Sequence, residues 1–333
     1  MPRVVSLLPS ATEIVCALGA APSLDRDPQR VPRPPRRAAA AEPPPPYALL
    51  VGVSHECDFP PEIRGLPVLT RARIATTGTS RAIDAAVRAA VRDPEDALSI
   101  YAVDDEKLRA LAPDLVLTQD LCEVCAVSLD DVRSAVARLA HRDDVRIVSL
   151  RPTRLGDVLD DVERVAGALG LPAEGRALRA EMEGRWREIG RRAQAAASRP
   201  RVVSLEWIEP PMIGGTWMPE LVTLAGGTPA GAEPGRPAPT VDPAALSALR
   251  PDVVVVKPCG FSMERALAER DVIERLVVAA VGPAARVYVT DGNAFFNRPG
   301  PRLCESLEIM AACVHPEIFA ELAEKHEAVI REL

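Results

Sequence analysis

The chain has 333 residues, a net charge of −7 and a pI near 5.4. That length exceeds one ordinary hydrophobic core and suits two α/β lobes. The acidic balance excludes nucleic-acid binding as the main task, because a phosphate-binding surface needs a basic excess. No run approaches the ~20 apolar residues of a spanning helix.

Val4–Leu8 reads as the first strand, followed by a turn at Pro9 in which Ser10 is placed to cap a helix running through Leu18. Pro9 and Glu13 interrupt the apolar stretch 4–20, and only Arg3 precedes it, so it is a poor export signal. Seven cysteines, an odd number, suit a reducing compartment better than a disulfide framework. Together these point to the cytoplasm, with the periplasm as the alternative. Residues 22–46 contain Pro32, Pro34, Pro35 and the run Pro43–Pro46, which cannot sustain helix or sheet and read as a disordered or polyproline insertion.

A strand at Leu49–Val53 leads into the loop Ser54-His55-Glu56-Cys57-Asp58-Phe59-Pro60. Helices are expected over 80–93 and 104–111, a buried strand over Asp114–Thr118, a loop over Gln119–Cys125, a helix near 128–141 and a strand over Val145–Leu150. Residues 154–196 read as helix with one break at Gly170-Leu171-Pro172. The theme then restarts. Arg201-Val202-Val203-Ser204-Leu205 echoes Arg3-Val4-Val5-Ser6-Leu7, and Pro251-Asp252 before Val253–Val256 echoes Pro113-Asp114 before Leu115–Leu117. The expected organisation is an N-terminal α/β lobe (1–150), a helical connector (151–200) and a C-terminal α/β lobe (201–333). In parallel sheets of this kind ligands gather at the carboxyl ends of the strands, so the ligand cleft is expected between two Rossmann-like lobes.

The segment Arg3–Glu13 resembles the opening strand and turn of class III, helical-backbone periplasmic binding proteins. Val51-Gly52-Val53-Ser54 with Asp58-Phe59-Pro60-Pro61, the stretch Glu106–Leu117, Gly226-Gly227 and Phe295-Phe296-Asn297-Arg298 continue the likeness, which is nearest to the cobalamin-binding branch. The resemblance implies a monomeric, non-catalytic protein that binds a cobalamin or related corrinoid. It also implies docking on an ABC permease through an acidic residue on each lobe. Glu106 matches the first such position; the second falls near Ala244, with Asp242 beside it. Phe59, Phe295 and Phe296 match the aromatic lining, while Arg71 and Gln119 stand where rings are expected.

The expected ligand-binding set is Ser10, Phe59, Arg71, Trp207, Phe295, Phe296 and Arg298. The cysteines suggest a second chemistry. Cys57 follows the second strand with His55 two residues earlier, Cys122 and Cys125 follow the 114–118 strand, and Cys259 follows Val253–Val256. Thiolates and an imidazole converging at strand ends would suit zinc or an iron–sulfur cluster, which is the alternative reading. Cys16, Cys304 and Cys313 fall in apolar helix patterns and read as core, whereas His141, His315 and His326 read as helix ends or solvated stretches.

Overall fold

The computed structural model describes residues 2–19, 49–92, 101–119 and 145–333. The proline-rich stretch 22–46, the helix expected near 128–141, His141, Cys122 and Cys125 lie outside the described residues. The chain forms two compact units that are not contiguous in sequence. The first comprises 1–73, 99–150 and 162–178; the second comprises 74–98, 151–161 and 179–333.

In the first unit, β1 (Arg3–Ser6), β2 (Leu49–Val53), β5 (Leu115–Gln119) and β6 (Arg146–Leu150) form a parallel sheet in the order β2-β1-β5-β6. The chain steps from β1 to one neighbour and later returns to the other, so the order reverses beside β1. That is where open α/β sheets leave a crevice at the carboxyl ends of their strands. A short antiparallel pair, β3 (Thr70–Ala72) with β4 (Tyr101–Val103), lies outside this sheet. Helix α1 (Pro9–Ala17) follows β1. Its N-cap is Leu8, not the expected Ser10. Pro9 occupies the first helical turn, where a missing N–H costs nothing, so Ser10 falls inside the helix and is buried. Thr12 anchors the helix start instead, donating to Ser6 Oγ at 2.8 Å or to the Leu8 carbonyl at 3.2 Å.

The second unit is built on a six-stranded sheet. The strands β7 (Arg201–Trp207), β10 (Val253–Val256) and β11 (Arg286–Thr290) are parallel and form its centre. The antiparallel β12 (Ile330–Glu332) lies beside β11, while β8 (Met212–Ile213) and β9 (Thr228–Pro229) pair with β7. The four valines of β10 are fully buried, as expected for a parallel strand covered on both faces. Helix α2 (Ser80–Arg92) comes from the N-terminal half of the sequence, yet its Ile83 joins the core of this unit with Val203, Leu205 and Val254. Both Glu269 carboxylate oxygens accept from Ser80, one from its backbone N–H and one from its hydroxyl. The carboxylate thereby satisfies free donors at the helix start.

The echo between the two halves is structural. In each, a Pro-Asp pair precedes the strand that lies beside the first one. Asp114 accepts from the Arg3 backbone N–H at 2.8 Å, and Asp252 from that of Arg201 at 2.7 Å. In both units the arginine Nε then donates to a helix-end carbonyl, Leu111 at 2.8 Å or Leu249 at 3.0 Å. The residue before each proline is left-handed, Ala112 at φ 42° and Arg250 at φ 46°. Helices α3 (Asp105–Leu111), α4 (Leu155–Leu169) and α5 (Pro172–Ala193) agree with expectation.

Candidate functional site

In the first unit the β2–β3 connection starts with a fixed corner. Thr70 Oγ1 lies 2.9 Å from Ser54 Oγ, accepts the His55 backbone N–H at 3.0 Å and lies 2.6 Å from His55 Nδ1. The imidazole therefore has one nitrogen occupied, and Nε2 has no hydrogen-bond partner among the described residues. Its ring stands edge-on to Tyr101, centroids 5.0 Å apart, and the Tyr101 hydroxyl donates to Glu56 at 2.5 Å. Partial desolvation pushes the His55 pKa below its ordinary value, opposed by the Glu56 charge. The ring is thus neutral at neutral pH and competent to bind a metal. Phe59 is 40% exposed, an unusual setting for a large apolar ring, and Arg71 is exposed on β3. Cys57 Sγ lies 3.1 Å from Thr12 Oγ1.

In the second unit, Glu206 and Trp207 end β7 partly exposed. The Trp207 ring meets Phe261 edge-on at 5.3 Å, and the Arg265 guanidinium covers the same ring at 3.9 Å. Arg265 is itself fixed by donating to the Thr76 carbonyl at 2.7 Å. Arg302 similarly covers Phe295 at 4.8 Å. Phe261 is itself buried, so the apolar area beside these guanidinium groups is that of the partly exposed Trp207 and Phe295. Glu209 is tied up by Arg81 and Arg275, which hold its pKa down.

Sequence reasoning missed Lys257, the residue after the four valines. It is wholly buried, donates to Asn297 Oδ1 at 3.1 Å and lies 3.7 Å from Glu206. Desolvation drives its pKa down, and Glu206 opposes the shift. Asn297 returns the bond through Nδ2 to the Lys257 carbonyl at 3.1 Å and to Gly292 at 2.8 Å. A lysine directly ending a continuous valine strand was the available signal. Gly292 is required here, since a Cβ would stand 2.1 Å from the Pro258 carbonyl oxygen.

Other expectations change. Phe296 is wholly buried, and its carbonyl accepts from Trp217 Nε1 at 2.9 Å, so neither Trp217 nor Phe296 presents a ring at the surface. Arg298 is buried and donates to Asn293 at 3.0 Å. His315 and His326 end their helices as expected but are buried rather than solvated; His326 Nε2 donates to Glu308 at 2.8 Å. Cys57 belongs to the first unit and Cys259, exposed after β10, to the second. Among the described residues no group of three or more His, Cys, Asp or Glu side chains is placed to hold a metal ion, so a zinc or iron–sulfur centre gains no support. Cys304 and Cys313 are buried as expected, whereas Cys16 is only partly so. Glu106 is exposed in the first turn of α3, and Asp242 caps the helix Pro243–Ala248. No helix among the described residues is long and apolar enough to cross a membrane.

Residues 48–293 match the family model described as periplasmic binding protein. No curated protein matches the chain in sequence. Among solved structures it resembles a periplasmic heme-binding protein from Pseudomonas aeruginosa, at 20% identity and TM-score 0.64 over 95% of this chain and 94% of that one. It also resembles the periplasmic vitamin B12-binding protein of Vibrio cholerae, at 18% identity and TM-score 0.61 over 95% and 97%. A third likeness is to a heme complex of IsdE from S. aureus, at 13% identity and TM-score 0.63 over 95% and 99%. The expected cytoplasmic location is corrected by this match to a periplasmic family. The weak export signature of residues 4–20 and the odd cysteine count were the wrong guides, since Cys304 and Cys313 are simply core.

Proposed function

This chain belongs to the periplasmic-binding-protein family, and from that premise we propose that it delivers a metal-bearing tetrapyrrole, a corrinoid or heme, to an ABC permease. It acts by binding, not by catalysis. The observation that carries the ligand class is His55: a neutral imidazole at the end of β2 whose Nδ1 is engaged by Thr70 and whose Nε2 is open. Cobalt in a corrinoid and iron in heme both accept an axial imidazole. Phe59 would supply apolar contact on the same unit. Taken by itself, the second unit offers Trp207 beside Arg265, and Phe295 beside Arg302, as candidate contacts for a flat ligand with carboxylate or amide edges. Ser10 in the first unit, and Phe296 and Arg298 in the second, are buried and would support the candidate contacts of their own units from within. Glu106 would meet the permease.

Absorbance titration with aquocobalamin and with hemin tests the reading. Imidazole ligation shifts the main visible band of whichever ligand is cargo. His55→Ala should abolish that shift and weaken binding at least ~10-fold, the scale on which a lost metal contact acts. An unchanged spectrum in His55→Ala would remove His55 as the ligand. As pH falls below the ordinary histidine value of about 6.5, Nε2 competes with a proton and affinity should drop.

A further inference from the structure

The described part of the first unit holds two cysteines, which the ligand reading does not use. Cys57 Sγ sits 3.1 Å from Thr12 Oγ1, on the face of α1 that looks at the loop after β2. Cys16 is four residues further along α1, so its Cβ lies about 5–6 Å from that of Thr12 on the same face. Helical side chains lean back toward the preceding turn, which for Cys16 is the turn of Thr12, the residue that Cys57 contacts. The electrostatic neighbours of Cys16 agree: Glu13 on its own helix, and Cys57 and Glu62 across from it. Both thiols are partly accessible and neither is in a disulfide.

We propose that Cys16 and Cys57 are a redox pair that closes to a disulfide, pinning α1 to the loop that carries His55 and Phe59. A periplasmic setting is oxidising and favours such closure. With a small-molecule disulfide as oxidant, one protein thiolate attacks it and one external thiolate leaves, giving a mixed disulfide. The second protein thiolate then attacks the protein sulfur of that bond and the second external thiolate leaves. The dithiol loses two electrons and its two protons pass to the two departing external thiolates, so the external disulfide is reduced to two thiols. Burial and the neighbouring negative charges push the Cys16 thiol up to about 12, so closure is slow near neutrality and faster in mild alkali.

The test uses the full-length protein with Cys122→Ser and Cys125→Ser, which removes the Cys-x-x-Cys pair as a competing sink. The protein is incubated with oxidised glutathione at mildly alkaline pH, blocked by alkylation and digested with trypsin. Cys16 is the sole cysteine of tryptic peptide 4–26, and Cys57 that of peptide 38–64. The expected result is a cross-linked 4–26/38–64 species that disappears on reduction, with loss of most alkylation at both cysteines. Full alkylation of both after oxidation, or Cys57 joined to a different cysteine, would overturn the proposal. The wild-type chain analysed in the same way covers the case in which the double variant does not fold. No tetrapyrrole is present, so the outcome is independent of the ligand reading.

Discussion

Glu308 is the charged centre of the second unit, and replacing it with glutamine is the sharpest test of how that unit is held together. It lies on the helix Leu303–Val314, is 8% exposed, and accepts from Arg185 at 2.8 Å, Lys325 at 2.6 Å and His326 at 2.8 Å. Arg185 on α5 also reaches Glu305 at 2.8 Å, so the network joins three helical segments. These partners overcome burial and bring the Glu308 pKa from 4.5 to about 2. At ~1.4 kcal/mol per pKa unit, the ionised form contributes on the order of 3 kcal/mol to folding. Because the folded pKa is the lower one, that contribution is complete above about 4.5 and is lost as pH falls toward about 2. Glu308→Gln should therefore lower stability by roughly 2–3 kcal/mol at pH 7, within the range for breaking a buried charge network. The difference from wild type should shrink below pH 4.5. All three tryptophans, Trp186, Trp207 and Trp217, belong to the second unit, so urea unfolding followed by tryptophan fluorescence reads this unit alone. A loss under ~0.5 kcal/mol at pH 7, the scale of an ordinary surface pair, or a loss that does not change with pH, would refute the reasoning.

Two further outcomes concern the carboxyl ends of β10 and β11 in the same unit. Lys257→Met should raise the urea midpoint at neutral pH. The folded state holds the lysine pKa below its ordinary value, so at pH values under that value the charged amine opposes folding; a lower midpoint would mean that the bonds to Asn297 and Glu206 outweigh desolvation. Gly292→Ala should destabilise the second unit by about 1–3 kcal/mol or more, because the new methyl overlaps the backbone of Lys257 and Pro258; an unchanged midpoint would show that this turn yields.

Much of this architecture is written in short-range patterns. The apolar runs Val4–Leu8 and Val253–Val256, the Pro-Asp pairs before β5 and β10, and the break at Gly170-Leu171-Pro172 each report a local backbone demand that a few residues satisfy. What was not legible depends on distant partners. The strand β3 has three residues and a charged centre at Arg71, and exists because Tyr101–Val103 pairs with it. The membership of α2 in the second unit rests on Ile83 and Glu269, residues separated by most of the chain. Ser10 looked like a cap because capping residues are usually polar, but Pro9 already suits the first turn and Thr12 holds the start from within. At the candidate site, His55 and Cys57 stood out by type and loop position. Lys257 did not, because a lysine after a strand is ordinarily solvated and only the fold reveals it as buried.

The most direct test of the central claim is quenching of tryptophan emission by tetrapyrrole, since Trp207, partly exposed at the end of β7, is a candidate ligand contact of the second unit. The account predicts saturable quenching by aquocobalamin or hemin at one equivalent, reduced by Trp207→Phe and weakened at acid pH. Emission that is unaffected by either ligand, in protein that is folded and monodisperse, would contradict it.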